Sequence, residues 1–287
     1  KNADENFLYY NTGDWGYSRI YNEPLVEHYS ENIGASWGDF DNDGDPDVFI
    51  AVKNESDKLF RNEGNGSFSD QSDLLSEEVY AAIGSTWLDY DNNGFLDLMV
   101  VGPTFSPVIY ENNGNGFTRF NERESFQITN DTLINTISTS DIDNDGDLDI
   151  FLAVGGENYL YENAANINLG NWLKIKPVGR ISSILPYGTK VSVYTEIDGE
   201  NQTISRWLMS QNGHNAQNDH SLHFGLGNAA SIDSVKIYFS SGVENTIYDI
   251  AVNQTLEITE TDYGDVDYNS SVQAYDASLL LGGIVGN

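Results

Sequence analysis

Short apolar runs and runs that alternate between apolar and polar residues follow one another along the chain, and a period of two is typical of half-buried β-strands. Runs rich in β-branched and aromatic residues, such as Asp47–Val52 and Asp149–Val154, stand between clusters of Asp, Asn and Gly. Asn-Gly pairs at 65–66 and 115–116 separate further runs, and this pair is the strongest short signal for a hairpin turn. The pattern predicts an all-β protein of many short strands and tight turns.

The first half of the chain is repetitive. Three aligned segments each join an Asp-rich loop to an apolar run, and their first aspartates lie 50 and 52 residues apart. They are Ala35–Val52, Ser85–Val101 and Ser138–Val154. A second element, an Asn-Gly hairpin or a degenerate form of it, recurs at Phe7–Tyr17, Leu59–Phe68, Val108–Phe117 and Tyr159–Ile167. Units of about 50 residues with four short strands are typical of propeller blades, so we expect a partial β-propeller of about three four-stranded blades.

The Asp-rich loops stop near residue 169, and alternating runs without them continue to residue 260. Alternation of this kind indicates a separate β-sandwich or small barrel. An acidic turn and a short apolar stretch, Tyr275–Val285, follow and indicate one helix. We therefore expect propeller-type repeats over 1–168, a β-sandwich-like domain over 169–260, and a short EF-hand-like loop and helix over 261–287.

The first Asp-rich loop has the spacing of a cation-binding loop. Between Asp39 and Asp47, carboxylates occupy positions 1, 3, 5 and 9, and Gly44 at position 6 permits a sharp turn. Position 7 can offer its backbone carbonyl, and Ca²⁺ takes six to eight such oxygen ligands, whereas Mg²⁺ keeps more water. Position 12 is Ile50 rather than Glu, and a strand follows, so the loop is not an EF-hand.

The third loop matches this pattern fully, whereas the second has two fewer carboxylates. Since affinity follows ligand charge, the second site is predicted to bind Ca²⁺ most weakly. An acidic turn with no bound ion is the alternative interpretation. The predicted ligands of the three loops are Asp39, Asp41, Asp43, Asp45 and Asp47; Asp89, Asp91, Asn93, Phe95 and Asp97; and Asp141, Asp143, Asp145, Asp147 and Asp149.

Charge narrows the classes of function. The chain has 13 Lys and Arg against 45 Asp and Glu, a formal charge of −32. This balance excludes a generic nucleic-acid binder and argues against docking on an anionic membrane. Without cysteine, disulfides, thiolate metal sites and a Cys nucleophile are also excluded. No apolar window reaches the ~20 residues of a membrane span, and the absence of a signal peptide indicates a processed form if the protein is secreted.

The Asp-rich segments resemble the FG-GAP/VCBS repeats of integrin-like propellers, over roughly Phe7–Asn163. The resemblance implies Ca²⁺ in the loops and a role in extracellular adhesion or scaffolding, in a secreted and bacterial setting. Propellers of this family usually have about seven blades, and three cannot close a ring. The chain is therefore expected to be a fragment of a longer precursor or an open arc, whose edges the next domain or another copy could cover.

Two further segments resemble known modules. Asn171–Leu173, Gly188–Val191 and His223–Gly227 resemble the ASPIC/UnbV domain of cartilage-acidic-protein-like proteins, which implies no chemistry. The segment after residue 263 resembles one half of a dockerin and carries an EF-hand-like spacing. Its predicted Ca²⁺ ligands are Asp265, Asp267, Asn269, Ser271 and Asp276. An acidic linker ahead of a helix is the alternative, and a dockerin needs two such halves.

The sequence lacks a P-loop and HExxH. His214, His220 and His223 fit no zinc spacing, so packing or turn hydrogen bonds are the favoured interpretation. We expect a secreted, non-catalytic, calcium-binding protein at the cell surface or outside the cell, which associates with a protein partner or with other copies of itself. The alternative is a glycan-binding ancillary module of a polysaccharide-degrading enzyme, using aromatics such as Trp15, Trp37, Trp87, Tyr90 and Trp207. A third hypothesis for the function is a lyase.

Overall fold

A computed structural model describes residues 6–13, 15–28, 30–53, 55–75, 82–102, 105–120, 126, 134–163 and 170–261. The chain forms two compact units, one of residues 1–169 with 211–219 and one of 170–210 with 220–287. Strands dominate both units, which confirms the all-β prediction. The described helical structure consists of the short turns α1 (Pro24–Glu27) and Ser72–Leu74. None of the described helices is long and apolar enough to cross a bilayer.

The first unit contains a hairpin and three meandering antiparallel sheets. The hairpin pairs β1 (Leu8–Gly13) with β2 (Gly16–Ile20). The strands of repeat 1 are β3 (Asn32–Gly38), β4 (Asp47–Val52), β5 (Lys58–Asn62) and β6 (Phe68–Asp70). Those of repeat 2 are β7 (Gly84–Leu88), β8 (Asp97–Gly102), β9 (Phe105–Asn112) and β10 (Phe117–Phe120). Those of repeat 3 are β11 (Ile134–Ser140), β12 (Asp149–Val154) and β13 (Tyr159–Tyr161). Repeats 1 and 2 thus have the four strands predicted for a blade, and three strands of repeat 3 are described.

The second strand of each repeat is apolar after its first aspartate, and in repeats 1 and 2 both of its faces are buried. In β4, Phe49 and Ala51 lie in one core with side chains of repeat 2, whereas Val48 and Ile50 lie in a second core on the opposite face. Repeats 2 and 3 share a third core of the same kind. Burial of each large side chain stabilises the fold by about 1.5–3 kcal/mol. Alternate residues of one strand thus join successive sheets.

The predicted Asn-Gly hairpins form, and all follow one register. The residue pairs Asn62–Phe68 and Asn112–Phe117 lie opposite each other where β5–β6 and β9–β10 approach their turns. Asn11 and Tyr17 form the same pair in the first hairpin, β1–β2. The N-terminal hairpin is therefore equivalent to strands three and four of a blade, as the degenerate repeat at residues 7–17 indicated.

The second unit is a sandwich of two sheets. Its strands are β14 (Asn171–Val178), β15 (Lys190–Ile197), β16 (Glu200–Trp207), β17 (Leu222–Gly227), β18 (Ile232–Tyr238), β19 (Glu244–Ile250) and β20 (Gln254–Thr259). One sheet has the order β17-β14-β20, with β14 and β20 parallel, and the other has the order β16-β15-β18-β19. A single apolar core fills the space between them. Among the described strands the sheets do not close, so the sandwich prediction holds and the small barrel does not.

Residues 211–219 pack within the first unit, against the first strands of its repeats. The Asn218 side chain accepts a bond from Thr139 N at 3.0 Å and donates to Thr86 Oγ1 at 3.0 Å. Thr136 Oγ1 donates to the carbonyl of His214 at 2.7 Å. A Cβ added to Gly213, whose φ is +73°, would lie 2.1 Å from the Ser85 carbonyl oxygen. This segment therefore links neighbouring repeats, which the sequence did not predict.

Candidate metal-binding loops

Each repeat brings three aspartates of its loop together. The clusters are Asp39, Asp41 and Asp43; Asp89, Asp91 and Asp97; and Asp141, Asp143 and Asp149, with ligand atoms within 4.8 Å of one another in each. Two oxygens that bind one Ca²⁺ at about 2.4 Å can be at most about 4.8 Å apart. The separations therefore fit a single shared calcium ion in each loop.

The backbone of the loops is shaped around the first aspartate. Asp39 Oδ2 accepts a bond from Gly44 N, and Asp89 Oδ2 accepts one from Gly94 N, both at 3.0 Å. The residue at position 4, Asn42 in repeat 1, has a φ of 57° and begins the reversal that the glycine completes at φ 96°. The pattern of Asn, then Gly two residues later, thus folds the loop so that its carboxylates converge.

The aspartate at position 9 has a second task that the spacing did not reveal. Asp97 Oδ2 accepts a bond from Tyr90 N at 2.7 Å, and Asp97 Oδ1 accepts one from Asn112 N at 2.6 Å. Asp47 and Asp149 bridge the corresponding amides in repeats 1 and 3. Each carboxylate therefore links its loop to the end of the third strand in repeats 1 and 2, and to Asn163, just after that strand, in repeat 3. Asp97 and Asp149 also belong to the clusters, whereas Asp47 does not.

Position 7 of the loops, occupied by Asp45, Phe95 and Asp147, was predicted to supply a backbone carbonyl. The side chains at this position contact groups outside the carboxylate clusters. A Cβ on Gly64 would lie 2.5 Å from Asp45 Oδ2, and one on Gly114 would lie 2.5 Å from the Phe95 ring. Asp147 Oδ1 instead accepts a bond from Asn92 Nδ2 at 2.9 Å. At position 5 of the second loop, Asn93 donates to Asp91 Oδ2 at 3.1 Å. The side chain at position 7 therefore supports the loop from outside the cluster.

Burial makes these carboxyls costly to ionise in the absence of a cation. Desolvation raises the pKa of Asp47 to about 8 and that of Asp97 well above its usual value. Desolvation, followed by repulsion from Asp145, raises the pKa of Asp147 to about 6. A positive charge nearby reverses this balance, because it favours the ionised form. The guanidinium of Arg61, a side chain that is 39% exposed, is 3.8 Å from Asp41 in the first loop.

Two series of asparagines join one repeat to the next, and sequence reasoning missed both. Asn112 Nδ2 donates to the Phe40 carbonyl of the preceding repeat at 2.7 Å, and Asn163 Nδ2 donates to that of Tyr90 at 3.1 Å. In the other direction, Asn42 Nδ2 donates to the carbonyl of Gly94 in the following loop at 3.0 Å. These hydrogen bonds connect the acidic loops of successive repeats in one row. The recurrence of the asparagines at fixed repeat positions was the sequence signal that could have revealed them.

Other predicted sites find less support. Asp265, Asp267, Asn269, Ser271 and Asp276 lie outside the described residues. The three histidines do not form a metal cluster among the residues that the structure describes. His214 belongs to the first unit and the other two to the second. His220 bonds the hydroxyl of Tyr187 at 2.9 Å, which agrees with a role in packing.

Sequential antiparallel sheets with acidic loops define a propeller-type repeat protein. Residues 39–100 match the family profile of the FG-GAP-like repeat, and residues 181–264 match that of the ASPIC and UnbV domain. The chain thus contains both modules, which confirms the FG-GAP and ASPIC/UnbV resemblances, whereas the dockerin-like resemblance stays a prediction. No match was found among curated proteins.

Two solved structures show weak likeness to the chain. One is BBS1N in complex with ARL6DN, soaked with mercury, at 15% identity and a TM-score of 0.30, covering 80% of this chain and 72% of that one. The other is a triple arginine-to-alanine mutant of AofleA from Arthrobotrys oligospora, at 13% identity and a TM-score of 0.31, covering 86% and 81%.

Proposed function

We propose that this is a secreted calcium-binding structural protein, without catalysis of its own, that mediates protein association outside the cell or at its surface. The observation that carries the proposal is the threefold recurrence of a converging carboxylate cluster with a buried first aspartate. An acidic turn that served only as a turn would not need three converging carboxylates. Calcium is the fitting ion because the donors are all oxygens and the loops can supply several each.

The buried position of the first aspartate supports the same proposal. Asp39 and Asp89 are each 1% exposed, and Asp141 is 4% exposed. Isolated buried carboxylates are strongly disfavoured unless they are paired or bind a metal. Bound Ca²⁺ would offset the cost of burying these three carboxylates and would hold each loop against the end of its sheet. The second loop, with Asn93 and Phe95 in place of two aspartates, should hold its ion least tightly.

Calcium titration by calorimetry, with thermal unfolding in Ca²⁺ and in EDTA, tests the proposal. Ligand that binds only the native state adds about 2.7 kcal/mol of stability at 100 times its Kd, so EDTA should lower the melting temperature. Asp43→Ala and Asp145→Ala should each remove one binding event. Asp73→Ala, which removes an acidic side chain outside the loops, is the matched control and should leave the number of bound calcium ions unchanged. Equal melting curves with and without calcium would refute the proposal.

Glycan binding is a second candidate, favoured by the aromatic side chains that the fold leaves open. Trp15 is 100% exposed at the tip of the first hairpin, and Trp37 is 38% exposed. Trp87, by contrast, is 8% exposed and stacks on Phe40 in the core of the repeats. A glycan array compared between the wild type and Trp15→Ala discriminates the candidates, since a carbohydrate site needs such a ring as a stacking surface. Binding that Trp15→Ala abolishes would favour the glycan module, and no binding would exclude it.

A further inference from the structure

The four-stranded sheet of the second unit has one face in the core and one turned away from it. In β15, Val191 and Val193 lie in the core, so Lys190 lies on the opposite, outer face because successive side chains alternate. Residues directly opposite each other on antiparallel strands share a face. The register places Trp207 of β16 and Tyr238 of β18 on either side of Lys190. The outer face therefore combines a lysine with aromatic side chains.

Two lysines stand beside aromatic rings on this outer face. Lys190 Nζ lies 4.7 Å from the centre of the Trp207 ring, and Lys236 Nζ lies 5.4 Å from that of the Tyr194 ring. These four side chains are half-buried. Tyr248 lies in the same row as Tyr194, on the edge strand β19, and is 68% exposed. Because an ammonium group is attracted to the face of a ring, each lysine is held in place with its charge beside an aromatic surface.

The charge at the middle of this face is opposite to that of the chain as a whole, which is −32. The segments Lys190–Tyr194 and Ser234–Tyr238 of the two central strands contain two lysines and no acidic residue. Glu196, near the end of β15, and Glu244, on the edge strand β19, stand at the rim. Among the described residues, Lys236 has no ion-pair partner. The middle of the outer face is therefore a positively charged, aromatic surface on a strongly acidic protein.

We propose that the outer face binds a polysaccharide that carries widely spaced carboxylates, with sugar rings packed on the aromatic side chains and carboxylates bound by Lys190 and Lys236. Trp and Tyr have an apolar body and a polar tip, which suits a ligand whose rings carry hydroxyl groups. An ammonium group forms a charge-assisted hydrogen bond with a carboxylate. A nucleic acid is disfavoured, because it presents a phosphate at every nucleotide and two lysines cannot offset its repulsion by the acidic chain.

This inference goes beyond the calcium-binding role and does not depend on it. The test is calorimetric titration of the full chain in Ca²⁺ with two probes, a hyaluronan oligosaccharide and a half-methyl-esterified oligogalacturonate. Trp207→Ala and Tyr248→Ala should each weaken binding about tenfold, and Lys236→Gln about fivefold. Trp15→Ala, in the first unit, and Lys176→Gln, on the other sheet of the second unit, are matched controls and should bind like the wild type.

Two further ligands test the chemistry of the site. Fully methyl-esterified oligogalacturonate, which has the same sugars without the charges, should bind more weakly than the half-esterified form, and equal binding would overturn the proposal. Equally tight binding of a single-stranded oligothymidylate through Trp207 would overturn it as well.

The outcome for this site is separable from that for the calcium loops. Failure of both anionic probes to bind a chain that takes up calcium would overturn this inference while the calcium proposal stands. Binding that survives in Trp207→Ala, Tyr248→Ala and Lys236→Gln, or that Asp145→Ala abolishes, would place the ligand elsewhere and would also overturn it. Calcium uptake and an unchanged melting temperature in Lys236→Gln and Tyr248→Ala show that their loss of binding does not come from unfolding.

Discussion

Asp57→Asn should change how stability depends on pH, because the Asp57 carboxyl is buried in a turn of repeat 1. The side chain is 7% exposed, and its Oδ1 accepts a bond from Val52 N at 2.8 Å. Desolvation raises the pKa of Asp57 from 3.8 to about 7, against the opposing effect of that bond. In the native state the group therefore prefers to be neutral.

The sign of the effect follows from linkage. Below pH 4 the carboxyl is neutral in both folded and unfolded chains, so burial of its charge costs nothing there. As pH rises from about 4 to 7, the unfolded chain loses the proton first and the folded state is progressively destabilised. A pKa raised to about 7 corresponds to a penalty on the order of 4 kcal/mol above that pH. Asparagine keeps the acceptor oxygen and removes this pH-dependent penalty.

Urea unfolding of the wild type and Asp57→Asn at pH 4, 6 and 8 measures the difference. The variant should gain stability over the wild type as pH rises, on top of any constant offset from the new amide. Repeat 3 supplies the control, since exposed Asn158 makes the equivalent bond to Val154 N at 3.1 Å. Asn158→Asp should show no comparable dependence on pH. Parallel pH profiles for the wild type and Asp57→Asn would refute the assignment of the penalty to burial.

Two further substitutions test the links between repeats. Gly213→Ala should lower the melting temperature more than Gly199→Ala, because both glycines have positive φ but only Gly213 faces a backbone oxygen, at Ser85; equal effects would contradict the packing of that segment. Asn112→Ala removes the buried bonds to the carbonyls of Phe40 and Leu96 and should cost about 1–3 kcal/mol in urea unfolding. Asn113→Ala, on the exposed side of the same turn, is its control, and an equal loss there would show that the inter-repeat bonds are unimportant.

The sequence was informative about the blades because their determinants are local and recur. The spacing of Asp39, Asp89 and Asp141 indicated the length of the repeat, and the Asn-Gly turns indicated where the hairpins lie. The order of the strands in each sheet then follows their order along the chain. The sandwich was predictable only as a class, since the parallel pairing of β14 with β20 joins segments about 80 residues apart. Alternation of apolar residues indicates which side of a strand is buried and does not indicate which strand lies beside it.

The candidate site was predictable in its residues and less so in their tasks. Converging carboxylates follow from loop spacing, and Asp39, Asp41 and Asp43 do converge. Asp47 accepts two hydrogen bonds, and the donor of one of them is Asn62, which is 15 residues away on another strand. The contact of Asn218 with Thr86 spans 132 residues. Such contacts depend on how the sheets are placed in space, which no local pattern encodes.

The most direct test of the central claim is a crystal structure of the chain grown in Ca²⁺, with anomalous data that locate the ions. The account predicts one peak at each cluster, among the carboxylates led by Asp39, Asp89 and Asp141, with the weakest occupancy in the second loop. Oxygen ligands should lie at about 2.3–2.6 Å from each peak. Well-ordered loops without any ion, with their aspartates turned towards solvent, would contradict it.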